Sequence, residues 1–344
     1  MDLTERKRKI LNTIITDYIE RAEPVGSRTL TKRYEFDISP ATIRNEMADL
    51  EEMGYLKQPH TSAGRIPSQK GYRFFVDHLI SSGLLTSKTK ILQKKLKSRK
   101  VLDLNEIIQE TARSLAEITE YTSLVLGPRP SRSSFQEIRL FPIGNQQVLL
   151  VLTTESGIVE SKPVKVSSDL TIPDMEKISE YLNQKLAGLT IDDITPSLMR
   201  ELRTDLIKET DVVEHTLYVL AESFKQSGEK LALGGTTNIL KQPEFNDLHK
   251  VRELLSFFEN ENSLMELLTD AEGIVVRIGR ENPREEVQDC SVITASYELK
   301  GRPLGTIGVL GPTRMDYSRV IAIVDQIAKE LTKTLESQGK ISSE

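Results

Sequence analysis

SPATIRNEMADLEEMGYLKQPHTSAGRIP, residues 39–67, holds the pattern from which the fold is read. Ser39 stands where a helix cap belongs, and Pro40 at the first helical position, where its missing N–H costs nothing. Ile43, Met47 and Leu50 follow at spacings of four and three, and Gly54 ends the run. This predicts a helix over 40–53 with a single apolar stripe. Beyond it Tyr55–Gln58 reads as a strand, His60–Gly64 as a turn and Arg65–Pro67 as a short returning strand. Upstream, Leu3, Ile10, Ile14, Ile15, Tyr18 and Ile19 recur near helical spacing beside the basic run Arg6–Lys9. Glu23-Pro24-Val25-Gly26 stops that helix, and Ser27 is placed to cap a second one, Arg28–Arg33, with Leu30 inward. Three helices followed by a hairpin make a winged helix-turn-helix.

The inward stripe of the third helix fixes its outward face. At about 100° per residue, Ala41, Asn45, Ala48 and Glu52 lie opposite the stripe, flanked by Thr42, Arg44 and Asp49. Small and forked side chains cluster near its amino end. Major-groove reading uses that chemistry: Arg bidentate to guanine, Asn bidentate to adenine, and Ala or Thr methyls against thymine. Arg44 and Asn45 are the base-reading candidates, unless Arg44 merely pairs with a neighbouring acid. His60, Thr61, Ser62 and Arg65 surround the flexible Gly64, as suits a wing on the phosphate backbone or in the minor groove; an ordinary polar turn would look similar. Ser27, Arg28 and Thr29 offer hydroxyls, a charge and free N–H groups to a phosphate.

Charge agrees with this placement. The net charge of −5 divides unevenly: residues 1–100 hold 20 Lys and Arg against 12 Asp and Glu, leaving the acidic excess in the remainder. A basic terminal third points to an anionic partner, with nucleic acid first. KTKILQKKLKSRK, residues 88–100, reads as a basic helical linker that either touches phosphates or is simply a solvated face.

The rest of the 344 residues has the length for further domains. A helical pattern over Asp103–Tyr121 leads into a β-type run, Thr122–Leu126, and the break Gly127-Pro128-Arg129-Pro130-Ser131. Three strands, Glu137–Ile143, Gln147–Thr154 and Val159–Val166, predict an antiparallel meander, followed by helices at Asp174–Ala187, Pro196–Glu209 and Val212–Ser227. A strand at Lys230–Gly234, helices at Leu248–Phe258 and Ser263–Leu268, strands at Gly273–Gly279, Ser291–Leu299 and Pro303–Leu310, and a closing helix Ser318–Glu336 resemble a small-molecule sensor. If Asp103–Leu126 joins that later sheet, the α+β unit between about 129 and 228 is an insertion.

Residues 39–77, SPATIRNEMADLEEMGYLKQPHTSAGRIPSQKGYRFFVD, strongly resemble the HrcA heat-inducible transcription repressors, and EPVGSRTL at 23–30 fits the same family. The resemblance implies an α+β multidomain chain. Its parts are a winged helix-turn-helix head (1–85), a basic linker (86–102), a GAF-like α/β sensor domain in two pieces (103–128 and 229–338) and an inserted α+β dimerisation domain (129–228). It further implies a bacterial, cytoplasmic homodimer, associated with the nucleoid when bound. That dimer represses chaperonin and other heat-shock genes from an inverted-repeat double-stranded operator, the CIRCE element, and the GroEL chaperonin assists its activity. The DNA-contacting set is then Ser27, Arg28, Ser39, Ala41, Thr42, Arg44, Asn45, Ala48, His60, Thr61, Ser62 and Arg65. Symmetry favours a dimer independently, because a two-fold protein places two small heads on two half-sites. Tyr218, Val219, Leu220 and Phe224 are candidates for part of its interface, or for burial within the protomer.

Other classes find little here. His60, His78, His215 and His249 lack metal-ligand spacing, the lone Cys290 fits a reducing compartment, and Leu233–Asn238 lacks the glycine spacing and lysine of a phosphate loop. No enzyme, cofactor or metal is expected. MDLTERKRKI carries charges where a signal peptide needs an apolar core, and no run reaches a membrane span. The main rival is a winged-helix regulator switched by a small effector in the GAF-like domain, which requires a pocket within residues 230–310.

Overall fold

The computed structural model describes residues 3–34, 36–60, 63–82, 104–128, 133–144, 146–165, 171–190, 193–205, 230–268, 273–299 and 301–341. Thr61, Ser62, the linker at 86–102 and the helix expected at 212–227, with Tyr218, Val219, Leu220 and Phe224, lie outside them.

Helix α1, Glu5–Arg21, opens on Thr4, whose hydroxyl accepts from Lys7 N at 3.3 Å, and closes on Ala22 in the left-handed region at φ 57°. Helix α2 spans Ser27–Arg33 and α3 spans Pro40–Glu52. The α3 cap is as expected, with Ser39 Oγ accepting from Thr42 N at 3.1 Å. The α2 cap is not. Gly26 is the extended residue whose carbonyl takes the first helical bond, from Leu30 N at 3.1 Å, and Ser27 is already helical, so its hydroxyl makes no capping bond.

Ile43, Met47 and Leu50 are buried in one cluster with Ile10, Ile14 and Leu30. Strands β1 (Leu56–Lys57) and β2 (Ile66–Pro67) pair antiparallel, shorter than the sequence pattern predicts. Val25 and Arg65 extend the pairing by exchanging two backbone hydrogen bonds of 2.9 Å, so the segment before α2 acts as a third strand. Helix α4, Gln69–Ser82, follows the hairpin and was not anticipated, although Tyr72, Val76 and Leu79 carry its helical spacing and are buried.

Helix α5 (Leu104–Thr119) leads into β3 (Thr122–Leu126). The meander follows as β4 (Phe135–Gly144), β5 (Gln147–Thr154) and β6 (Val159–Lys165), then helices α6 (Ile172–Leu186) and α7 (Pro196–Asp205). These segments enclose their own core, including Ile138, Leu150, Leu152, Ile178, Leu182 and Leu202. The chain returns through β7 (Leu231–Gly234), α8 (Leu248–Glu259), α9 (Glu261–Leu268), β8 (Ile274–Ile278), β9 (Cys290–Leu299), β10 (Arg302–Pro312) and α10 (Tyr317–Ile341).

Five of these strands form one sheet in the order β7-β3-β10-β9-β8, every neighbour antiparallel. Strand β3 pairs β7 with Leu124 opposite Leu233, so strands on either side of residues 129–228 share a sheet. Period-two alternation sends Val125, Ile293, Ile307 and Val309 to the core shared with α5 and α10. It sends Leu124, Leu126, Val292 and Leu310 to the core under α8 and α9. Helices on both faces explain why every residue of β3 is buried.

The capping geometry gives the first expectation. Ser39→Ala should lower stability by about 1 kcal/mol, whereas Ser27→Ala should change it by less than about 0.5 kcal/mol, as read from denaturant midpoints.

Candidate nucleic-acid interface

Burial of Ile43, Met47 and Leu50 leaves Ala41, Arg44, Asn45 and Ala48 exposed together on the opposite side of α3. Neither Arg44 nor Asn45 makes a hydrogen bond or ion pair with another described residue, so no neighbouring acid occupies the Arg44 guanidinium. Thr42 is half-buried and its hydroxyl sits 3.0 Å from that of Ser39, which places both at the helix cap. Arg28 is exposed at the start of α2 with Ser27 half-buried beside it, and His60 is exposed on the hairpin.

Two of the four acids of α3, Glu46 and Asp49, are met by α1. Lys7 Nζ lies 2.8 Å from both Glu46 Oε2 and Asp49 Oδ2, and Arg6 reaches Glu46 at 3.4 Å. The Lys7 and Glu46 side chains are 14% and 13% exposed, whereas Arg6 and Asp49 are more than half exposed, so the Lys7–Glu46 pair is the partly desolvated part of the cluster. Asp49 and Glu46 together hold the Lys7 ammonium above the ordinary lysine range. Pairing cancels the field that two carboxylates would otherwise present to a polyanion. Lys9 sits 5.2 Å from the Phe36 ring, and buried Asp17 accepts from Arg33 Nη1 at 2.9 Å, from the Tyr34 hydroxyl at 3.2 Å and from Arg21 Nε at 3.3 Å. Asp17 thereby ties α2 to α1. The pairings of Lys7 with Glu46 and Asp49 and of Asp17 with Arg33 are not legible in the sequence, because the partners lie between 16 and 42 positions apart and periodicity carries no such pairing.

Arg65 differs in setting from Arg44. Its Nε stands 2.7 Å from Glu51 Oε2 and its side chain is 19% exposed, so it ties the hairpin to the last turn of α3. Gly64 is required beside it: a Cβ there would lie 2.4 Å from the Val25 carbonyl oxygen, against the strand that Val25 and Arg65 form. The geometry presents an exposed forked face on α3, an exposed basic helix start on α2 and a hairpin held at a fixed angle to both.

Elsewhere the chemistry is sparse. Among the described residues no group of three His, Cys, Asp or Glu is arranged to hold a metal, and no helix is long and apolar enough to cross a membrane. Burial pushes the Cys290 thiol up, away from reactivity. Gly235 has left-handed backbone, and a Cβ there would meet Asn238 at 2.5 Å and Ala116 at 2.7 Å, a packing role for the Leu233–Asn238 segment. Among the described residues, clefts that reach residues 230–310 include two of note. One of about 280 Å³ lies among Ser133, Ser134, Ser156, Leu299 and Arg302, and one of about 650 Å³ among Arg113, Glu117, Gly235, Asn238 and Lys241.

Comparison with known proteins adds family evidence. Residues 105–321 match the family model described as the HrcA protein C terminal domain. A heat-inducible transcription repressor HrcA from Natranaerobius thermophilus is 69% identical over 344 residues, all of both chains. The protein of that name from Pelotomaculum thermopropionicum is 44% identical over 340 residues, 98% of each chain. A crystal structure of a hypothetical protein at 2.2 Å resolution, 29% identical, aligns with a TM-score of 0.65 over 98% of this chain and 99% of that one.

The contrast between the two arginine environments is testable by salt titration of duplex binding. Arg28→Ala should reduce the slope of log affinity against log salt by about one, the signature of a lost phosphate contact, and Arg65→Ala should leave it unchanged.

Proposed function

The chain belongs to the HrcA family of heat-inducible transcription repressors, and from that premise we propose that it represses by seating α3 in the major groove of an inverted-repeat operator. The observation that carries this reading is the exposed, unpaired Arg44–Asn45 face of α3 opposite the buried Ile43–Met47–Leu50 stripe. Residues 1–85 act as a winged helix-turn-helix. Arg44 and Asn45 read base edges, Ala41, Thr42 and Ala48 line the groove, and Ser27, Arg28 and Ser39 lie toward the backbone. His60 stands on the wing, which Arg65 holds against α3, and Thr61 and Ser62 are proposed with it as DNA contacts. Arg6 and Lys7 serve indirectly, by neutralising Glu46 and Asp49 at the groove edge.

The five-stranded sheet with its helices, residues 103–128 and 229–338, is the GAF-like domain, and residues 129–228 are the inserted dimerisation domain. The working species is a cytoplasmic homodimer, since one small head makes few contacts and a two-fold pair matches a palindrome. The operator is CIRCE-like, upstream of chaperonin genes, and GroEL raises the active fraction of repressor.

Titration at fixed salt against an inverted-repeat chaperonin-promoter duplex and a scrambled duplex, with and without GroEL, tests the whole reading. The expected result is preferential operator binding that rises with GroEL, with Arg44→Ala or Asn45→Ala losing about 1–3 kcal/mol on the operator and much less on scrambled DNA. Equal, weak binding to both duplexes would overturn it and turn attention to a small effector in the clefts near the sheet.

A further inference from the structure

The head does not hang free of the body. Arg73 on α4 donates from Nη2 to the Val276 carbonyl at 2.6 Å and from Nε to Glu281 Oε1 at 2.9 Å, and its guanidinium also contacts Glu281 Oε2. Glu281 is itself held by Ile278 N at 2.8 Å. One turn earlier, Gln69 Oε1 accepts from Arg280 N at 3.2 Å, and Gln69 Nε2 donates to the Gln288 carbonyl at 3.4 Å. The approach is close enough that a Cβ on Gly279 would stand 2.0 Å from Gln69 Nε2. A second anchor grips α1: Arg314 Nη1 donates to the Ile19 carbonyl at 3.3 Å, while Nη2 donates to Gln242 Oε1 at 3.1 Å and Nε pairs with Glu244. Across the same contact the Tyr72 and Tyr317 rings lie 5.7 Å apart.

A single contact between two bodies is a pivot. Two separated anchors leave rotation only about the line joining them, so each anchor constrains the angle between the bodies. The Arg73 side chain is 29% exposed and that of Glu281 is 40%, so the ion pair adds little to stability. Its two-pronged geometry defines an angle instead.

We propose that Arg73 and Gln69, with Glu281, are positioning residues that set the distance and phase between the two heads of the dimer, and so determine which half-site spacing the repressor accepts. This rests on the reading of the chain as a dimer on two half-sites. Each base pair added between half-sites moves one of them by about 3.4 Å and turns it by about 34°. A rigid pair of heads loses the second contact under such displacement, whereas a loosened pair follows it.

The experiment uses the full-length chain and duplexes that keep both half-site sequences while the spacer changes by one or two base pairs either way, together with a single half-site. Wild type should lose at least about 30-fold in affinity at two base pairs from the preferred spacing. Q69A/R73A should lose no more than about threefold over the same series, with single-half-site affinity within about twofold of wild type. E281Q, which keeps side-chain volume and removes the charge, should flatten the profile in the same direction. Variants that keep the wild-type spacing profile overturn the proposal while leaving the two-half-site reading intact. Wild type indifferent to spacing overturns both. Loss of single-half-site binding in both variants makes the contact merely structural and also overturns the proposal.

Discussion

Three side chains, Ile43, Met47 and Leu50, decide which side of α3 faces solvent. Their burial with Ile10, Ile14 and Leu30 leaves no rotational freedom to the helix, so Arg44 and Asn45 are outward by necessity. Everything else in the head follows from that orientation. Glu46 and Asp49 fall where Arg6 and Lys7 can meet them, Glu51 in the last turn of α3 meets Arg65, and the hairpin takes its angle from that pair and from the Val25–Arg65 bridge. A polar residue at any of the three stripe positions would bury an unpaired group and release the helix that carries Arg44 and Asn45.

Electrostatics refines this picture. The basic excess of the first hundred residues invites a uniform reading as a phosphate-binding surface, but the structure sorts those charges into classes. Lys7, Arg33 and Arg65 are committed to Glu46 and Asp49, to Asp17 and to Glu51 respectively. Arg73 is committed to the body. Arg28 and Arg44 remain exposed without a described partner. Net charge therefore marks the region suited to an anionic ligand, while the charges available to one are those the fold leaves unpaired.

The local elements were legible because their causes are local. The α3 cap, proline and apolar stripe lie within fifteen residues, and Thr122–Leu126 was read as a strand at the bounds it has. Ser27 misled because a serine one position past the true cap looks like one, whereas Gly26 caps through its backbone alone. Helix α4 carries its period in Tyr72, Val76 and Leu79, but it follows the hairpin directly, with no loop to mark its start. Strand order was open to the sequence only as a condition, that residues before and after 129–228 share a sheet. The pairing of β3 with β7 meets that condition. Lys7 with Glu46, and Arg73 with Glu281 across 208 positions, were invisible because nothing in periodicity links charges so far apart.

Whether α3 reads bases through Arg44 on each half-site is tested by methylation interference at guanine N7, comparing wild type with Arg44→Ala. N7 methylation at one guanine in each half-site should block wild-type binding, and the same methylation should no longer matter to Arg44→Ala, whose contact is already gone. Interference that is identical in both proteins would contradict that reading and would move Arg44 away from the base edges.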